Sequence, residues 1–305
     1  MEAQDALGRS SSSEAQLISS CRAGDRDKFA ALIGPYIKGI RLVAYSILRN
    51  PQDTEEVSQE AILKAFIHLS QLREGESFKA WLLQIAANEA KMRLRKDRRH
   101  LYESLEQEFA DKPVQPRQFV DWRNVPSADL ERKELRAALM AALNCLEDGY
   151  REVFVLRDIQ ELCAAKAGEI LGISEGAVNT RLHRARMQMR EQLIPLFSAP
   201  GKLSMAMPFK MMLLMGKTIM KQTVSCKHVT SQISNYIDGH LSREMKRQIE
   251  KHLALCDRCS VLVDTMRKLL YIAGNEKVFE LPFACKVNWD EIMKGEKVWS
   301  AWSPD

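Results

Sequence analysis

Apolar residues in this 305-residue chain recur at three- and four-residue steps, as at Val57, Ala61, Ala65 and Leu69, and no stretch of useful length alternates at two. Such a pattern restricts the chain to helices packed on helices, so the predicted fold class is all-α. Helical periodicity runs from Ala15 to Arg99, and Pro51 opens one helix with Asp53, Glu55 and Glu56 in its first turn, where negative charge suits the helix dipole. The pattern breaks across 101–130, a stretch with three prolines and no sustained period; Glu103 to Glu131 holds seven acidic and three basic residues, which reads as an acidic linker. Helical periodicity resumes over 131–197, followed by a Met- and Lys-rich connector at 198–225. A short Cys/His block at 226–272 and a tail at 273–305 with Trp289, Trp299 and Trp302 complete the chain. At roughly 100 to 200 residues per domain, this length supports two or three compact units.

Charge excludes some roles. Residues 1–200 carry 29 Lys and Arg against 29 Asp and Glu, so any nucleic-acid footprint must come from local segregation and not from the total of +5. Residues 1–14 are polar and lack the apolar centre of a secretory signal; they read as a disordered leader. The apolar run at 205–215 is interrupted by Pro208 and Lys210, far short of the roughly 18 to 20 apolar residues of a spanning helix. The expectation is a cytoplasmic chain with no membrane partner. Seven cysteines, three of them scattered at Cys21, Cys145 and Cys163, fit reduced thiols better than a disulfide framework. No paired carboxylates, nucleophile constellation or phosphate loop argues for an enzyme.

In the second helical block, a short helix ends near Leu171, Gly172 supplies a turn and Ser174 caps a second helix, giving a helix-turn-helix pattern. Val178, Leu182, Ala185 and Met189 share the inner face of that second helix, which leaves Thr180, Arg181, His183, Arg184 and Arg186 pointing outward. Periodicity alone also allows an amphipathic helix with a solvated basic face. The stretch LEDGYREVFVLRDIQELCAAKAGEILGISEGAVNTRLHRAR resembles region 4 of the bacterial sigma-70 family, in its extracytoplasmic-function group. RNPQDTEEVSQEAILKAFIHL resembles region 2.2, and FKAWLLQIAANEAKMRLRKDRR resembles regions 2.3 and 2.4. Together these cover about residues 25 to 195 in the family's order.

The resemblance implies roles residue by residue. Asp53, Glu56, Gln59 and Glu60 form an acidic and amide-bearing face that would dock on core RNA polymerase; without it, the face reads as ordinary solvated surface. Phe78, Trp81, Leu82 and Ile85 form an apolar stripe. Asn88, Lys91, Arg95, Lys96, Arg98 and Arg99 follow it and would hold the minus-10 element of promoter DNA, while Thr180, Arg181, His183 and Arg184 would read the minus-35 element. The acidic linker with Glu103, Glu106 and Glu108 would mimic a nucleic-acid strand. Where the family usually has Glu-Ile-Ala, this chain has Lys166, Ala167 and Gly168. Gly168 costs about 1 kcal/mol of helix propensity relative to Ala, which suggests weaker or differently tuned promoter binding.

Cys256 and Cys259 form a C-x2-C pair, and His252 lies one helical turn earlier. A tetrahedral zinc site needs a fourth ligand, for which Cys226, His228 and His240 are candidates. The whole string resembles the zinc-binding anti-sigma domain, whose first ligand stands twelve residues before the Asp of a DG turn, as Cys226 stands before Asp238; this selects Cys226. Ile233, Ile237, Leu241, Met245, Ile249 and Leu253 are too few for an independent core, so a metal would complete the module. The expected molecule is a sigma factor with two helical sigma domains and a fused zinc-binding module in intramolecular contact with them. Its zinc would be structural or redox-responsive. Two rivals stand beside it: a helix-turn-helix regulator that works without polymerase, and a redox sensor acting through its zinc thiolates with Cys285 as an additional thiol.

Overall fold

The computed structural model describes residues 14–23, 25, 27–73, 77–98, 132–197 and 224–274, all helical or in short connections with no strand among them. The predicted leader, acidic linker, connector and tail lie outside the described residues, apart from short ends. The chain divides into two compact units, the first built mainly on residues up to Ser104 and the second on Leu105–Gly168 and Ile173–Glu280.

The first unit contains α1 (14–22), α2 (Asp27–Ile33), α3 (Ile37–Leu48), α4 (Pro51–Ile67) and α5 (Phe78–Arg98). Asn50 starts α4 as its N-cap, the side chain accepting from the backbone N–H groups of Gln52 and Asp53, and Pro51 occupies the first turn where a missing N–H costs nothing. Helices α3, α4 and α5 pack on one another. Ile40, Ala44, Ala61, Ile62, Leu82, Leu83 and Ala86 are buried, at 0 to 1 % exposed, and Phe29 meets Phe66 edge to face at 4.9 Å. The stretch Lys28–Leu48 is apolar enough to cross a membrane by length and composition, yet half of its apolar window is buried inside this unit. Its hydropathy is that of a core helix. Of the apolar stripe, Phe78 and Leu82 are buried and Trp81 and Ile85 are half-buried.

The second unit contains α6 (Arg132–Asn144), α7 (Asp148–Phe154) running into a π-helical turn (Val155–Ile159), the first five residues of α8 (Ala164–Leu171), the rest of which groups with the first unit, and α9 (Glu175–Phe197). It continues with α10 (Cys226–Ile237), α11 (Arg243–Leu255) and α12 (Asp257–Ala273). Gly172 takes φ +73° to turn the chain after α8, and the Ser174 hydroxyl accepts from the Ala177 N–H at 3.2 Å to start α9. Gly168 has a different task from the one expected. A Cβ there would sit 2.7 Å from the Ile173 carbonyl oxygen, so the turn closes directly against the helix. The glycine makes that approach possible, and its propensity cost is secondary.

Helices α10, α11 and α12 form a three-helix module with a small core. Val229, Ile249 and Cys259 are its fully buried centre, with Tyr236, Leu241, Met245, Leu253 and Cys256 packed partly against them. Ser225 and Ser242 cap α10 and α11 by accepting from His228 and Met245. Gly239, at φ +75°, reverses the chain between them.

Candidate nucleic-acid interface and metal centre

The acidic face of α4 is partly committed within its own unit. Arg93 on α5 reaches Asp53 at 2.7 Å and Glu56 at 3.1 Å; Lys64 bridges Glu60 at 3.5 Å and Glu89 at 2.6 Å. Gln59 donates to Glu55 at 3.0 Å. Glu56 and Glu60 remain half-exposed at their side chains, whereas Asp53 is mostly covered. On α5, Asn88, Arg95 and Lys96 are exposed and Lys91 is half-buried. The side chain of Arg98 and all of Arg99 lie outside the described residues.

On α9 the structure divides the predicted outward set. Thr180 is exposed and Arg181 half-buried. Arg184 is not outward: it is 8 % exposed, and its Nη1 donates to the Tyr150 hydroxyl on α7 at 3.0 Å. Helix α9 packs along both α7 and α6, so its apolar face is wider than the Val178–Met189 stripe suggests and draws Arg184 inward. Arg186 is also inward, at 3 % exposed. His183 is half-buried, its Nδ1 3.1 Å from the Ser234 hydroxyl on α10.

Arg186 is the centre of a buried charge cluster that the sequence did not disclose. Its Nε and Nη2 donate to the two Asp158 oxygens at 2.8 and 2.7 Å; its Nη1 and Nη2 donate to the two Asp238 oxygens, both at 2.9 Å. The π-helical turn of Val155–Ile159 carries Asp158, and the C-cap of α10 carries Asp238. Burial pulls the Arg186 guanidinium down, but Asp158 and then Asp238 outweigh it and hold the group above its ordinary value. Burial pushes the Asp158 carboxyl up, against the pull of Arg186. The two bidentate contacts favour the ionised cluster, since a neutral carboxyl would surrender one of its acceptors. One turn further along α9, Arg190, fully buried, donates from Nε to the Thr265 hydroxyl on α12 at 2.7 Å. His183, Arg186 and Arg190 therefore form a polar stripe at i, i+3 and i+7 that meets two helices of the three-helix module. Breaking a buried ion pair costs about 3–5 kcal/mol, against about 1.5–3 kcal/mol for a hydrogen bond between a charged and a neutral group. Arg186 is thus the strongest of these three anchors by the kind of contact it makes.

The module brings Cys226, His252, Cys256 and Cys259 together. Their ligand atoms all lie within 4.8 Å of one another, with Cys226 Sγ 3.5 Å from His252 Nε2 and 3.8 Å from Cys256 Sγ. In a tetrahedron with Zn–S bonds of about 2.3 Å and a Zn–N bond of about 2.1 Å, sulfur and nitrogen stand about 3.6 Å apart and two sulfurs about 3.8 Å apart. These two separations match those of a four-ligand zinc site. Burial, and next the neighbouring Cys256, push the Cys226 and Cys259 thiols up. Three sulfurs this close favour thiolates only when a cation sits among them. His228 is turned to Met245, its Nε2 3.4 Å from the sulfur, and His240 is exposed; neither joins the cluster.

Comparison with known proteins agrees with this order of parts. The chain matches Sigma-70 region 2 over residues 32–100, Sigma-70 region 4 over 136–189 and a putative zinc-finger family over 226–260. It is 32% identical over 176 residues to the ECF RNA polymerase sigma factor SigW of Bacillus subtilis, covering 58% of this chain and 94% of that protein. It is 29% identical to the probable RNA polymerase sigma factor RfaY of Xanthomonas campestris pv. campestris, covering 59% of this chain and 45% of that protein. Among solved structures, it is similar to the sigma factor RpoE of Bartonella quintana in complex with the anti-sigma factor NepR, with 26% identity, 54% of this chain and 96% of that chain covered, and a TM-score of 0.40. The chain belongs to the sigma-70 family, among its ECF RNA polymerase sigma factors.

Proposed function

We propose that this protein directs core RNA polymerase to promoters and that its three-helix module, holding one zinc ion, restrains that activity from within the same chain. Residues 15–100 serve as sigma region 2 and 131–197 as region 4, both acting in the cytoplasm. Exposed Asn88, Arg95 and Lys96, with Lys91, hold the minus-10 element; Thr180 and Arg181, with His183, read the minus-35 element once α9 is uncovered. Glu56, Gln59 and Glu60 meet polymerase, with Asp53 anchoring their helix through Arg93. Cys226, His252, Cys256 and Cys259 hold the zinc, which ties the starts of α10 and α12 to the end of α11 and adds folding energy to the small cluster of Val229, Ile249 and Cys259 beside it.

The observation that carries the regulatory reading is the cover over α9: His183, Arg186 and Arg190 on the recognition helix are all engaged by the module. A helix so covered on one side has that much less surface for a DNA groove. Attachment in one chain gives the module a high effective concentration, so a modest contact suffices. Runoff transcription with core polymerase tests the reading by comparing the full chain with a truncation after Ala199. More transcript from the truncation is the expected result; equal or less transcript overturns it.

A further inference from the structure

We propose that the outer Nη edge of Arg186 is a receptor for one carboxylate, and that Asp238 at the C-cap of α10 is the residue that decides whether the module sits on α9. The inference rests on the reading that the module restrains region 4, and it names the contact through which it would do so.

Among the described residues, three polar contacts between the module and α9 can be compared, and they differ in kind. His183 to Ser234 is a single contact of neutral groups at 3.1 Å, and the histidine is half-buried. Arg190 to Thr265 is one hydrogen bond to a neutral hydroxyl, whose oxygen lies within hydrogen-bond distance of the Val261 carbonyl in its own helix. Arg186 to Asp238 is a two-point contact between opposite charges, with the side chains 3 % and 17 % exposed. Of the three it depends most on charge and on geometry.

The arginine is also prepared for it. Asp158 grips Nε and Nη2 from within region 4, fixing the plane of the guanidinium and aiming its Nη1/Nη2 edge at the α10 C-cap. A flexible arginine would lose rotamer freedom on docking; one already held by Asp158 loses little, so more of the charge contact survives as affinity. Asp238 is equally placed by its backbone. Its N–H caps α10 by donating to the Ser234 carbonyl, and Gly239 follows at φ +75° to turn the chain away. Ser234 and Asp238, four residues apart on α10, present one edge to His183 and Arg186, three apart on α9. A receptor held on one side and a carboxylate held on the other form a keyed contact, one that a neutral residue of the same shape cannot replace.

The test uses the full-length protein. Asp238→Asn preserves shape and removes charge; Asp238→Glu restores charge; Ser234→Ala removes a neutral contact from the same helix. Hydrogen exchange across 183–190 reads docking, metal content reads the integrity of the module, and runoff transcription reads activity. Asp238→Asn is expected to retain its metal, to speed exchange across 183–190 by roughly tenfold or more, the scale of losing hydrogen bonds between charged groups, and to raise transcript. Asp238→Glu is expected to regain part of the protection, and Ser234→Ala to fall short of Asp238→Asn, with a change of about twofold to tenfold, the scale of one neutral hydrogen bond. The proposal is overturned if Asp238→Asn leaves exchange at the parent level, if Ser234→Ala opens α9 as far as Asp238→Asn does, or if Glu protects no better than Asn. Should α9 open with no gain in transcript, the contact is as proposed and the regulatory reading fails. Should truncation raise transcript while Asp238→Asn leaves α9 closed, the regulatory reading stands and Asp238 is not its latch.

Discussion

Single residues in this protein carry tasks that their type alone would misstate. Gly168 weakens a helix by propensity, and replacing it with alanine would ordinarily stabilise. With the Ile173 oxygen 2.7 Å from the position of the missing Cβ, Gly168→Ala is expected instead to destabilise by roughly 1–3 kcal/mol, the scale of an overpacked site, and thermal unfolding of the full chain checks the sign. His183 shows the same dependence on surroundings. Burial, then Arg186 and Arg184, lower its imidazole pKa from 6.5 to about 4, so it is neutral where its unfolded counterpart begins to protonate. A histidine whose folded pKa is depressed contributes stability above its unfolded pKa and loses it as pH falls. The second unit is therefore expected to weaken as pH drops from about 6.5 toward about 4. Thermal melts should show a smaller loss for His183→Asn over that window; an identical slope would contradict the assignment.

At the scale of elements, two of the helices that reach α9 begin at residues of the proposed metal centre. Cys226 opens α10, which carries Ser234 and is capped by Asp238; Cys256 and Cys259 open α12, which carries Thr265. A metal centre that fixes the starts of two helices also fixes where their later turns stand. Chelation is expected to reduce the helical signal and to speed hydrogen exchange in both 226–237 and 183–190, although no ligand lies on α9. Loss of metal with α9 still protected would show that the contact holds without the centre.

Much of this organisation was legible because it is local. The Gly172 turn, the Ser174 cap and the Cys/His spacing each depend on residues a few positions apart, where chain geometry restricts the outcome. Arg184 and Arg186 were misplaced for the opposite reason. Helical periodicity assigns a long basic side chain to the outside unless it knows what packs there, and their partners, Tyr150, Asp158 and Asp238, stand 28 to 52 positions away. The available signals were two, a lone aspartate in LRDI and another in YIDGH, and nothing in either string names the arginine it meets.

The whole molecule places its chemistry and its grip at different addresses. Ser234 lies eight residues along α10 from Cys226, about 12 Å of helical rise, so the proposed metal centre is set back from the face that touches α9. Cys226 is exposed even with the module in place. A thiol reagent or chelator can thus attack the fastening while the clasp is still shut, and the rate of disarming should not wait on spontaneous opening: metal loss from the full chain and from Asp238→Asn would run at the same speed.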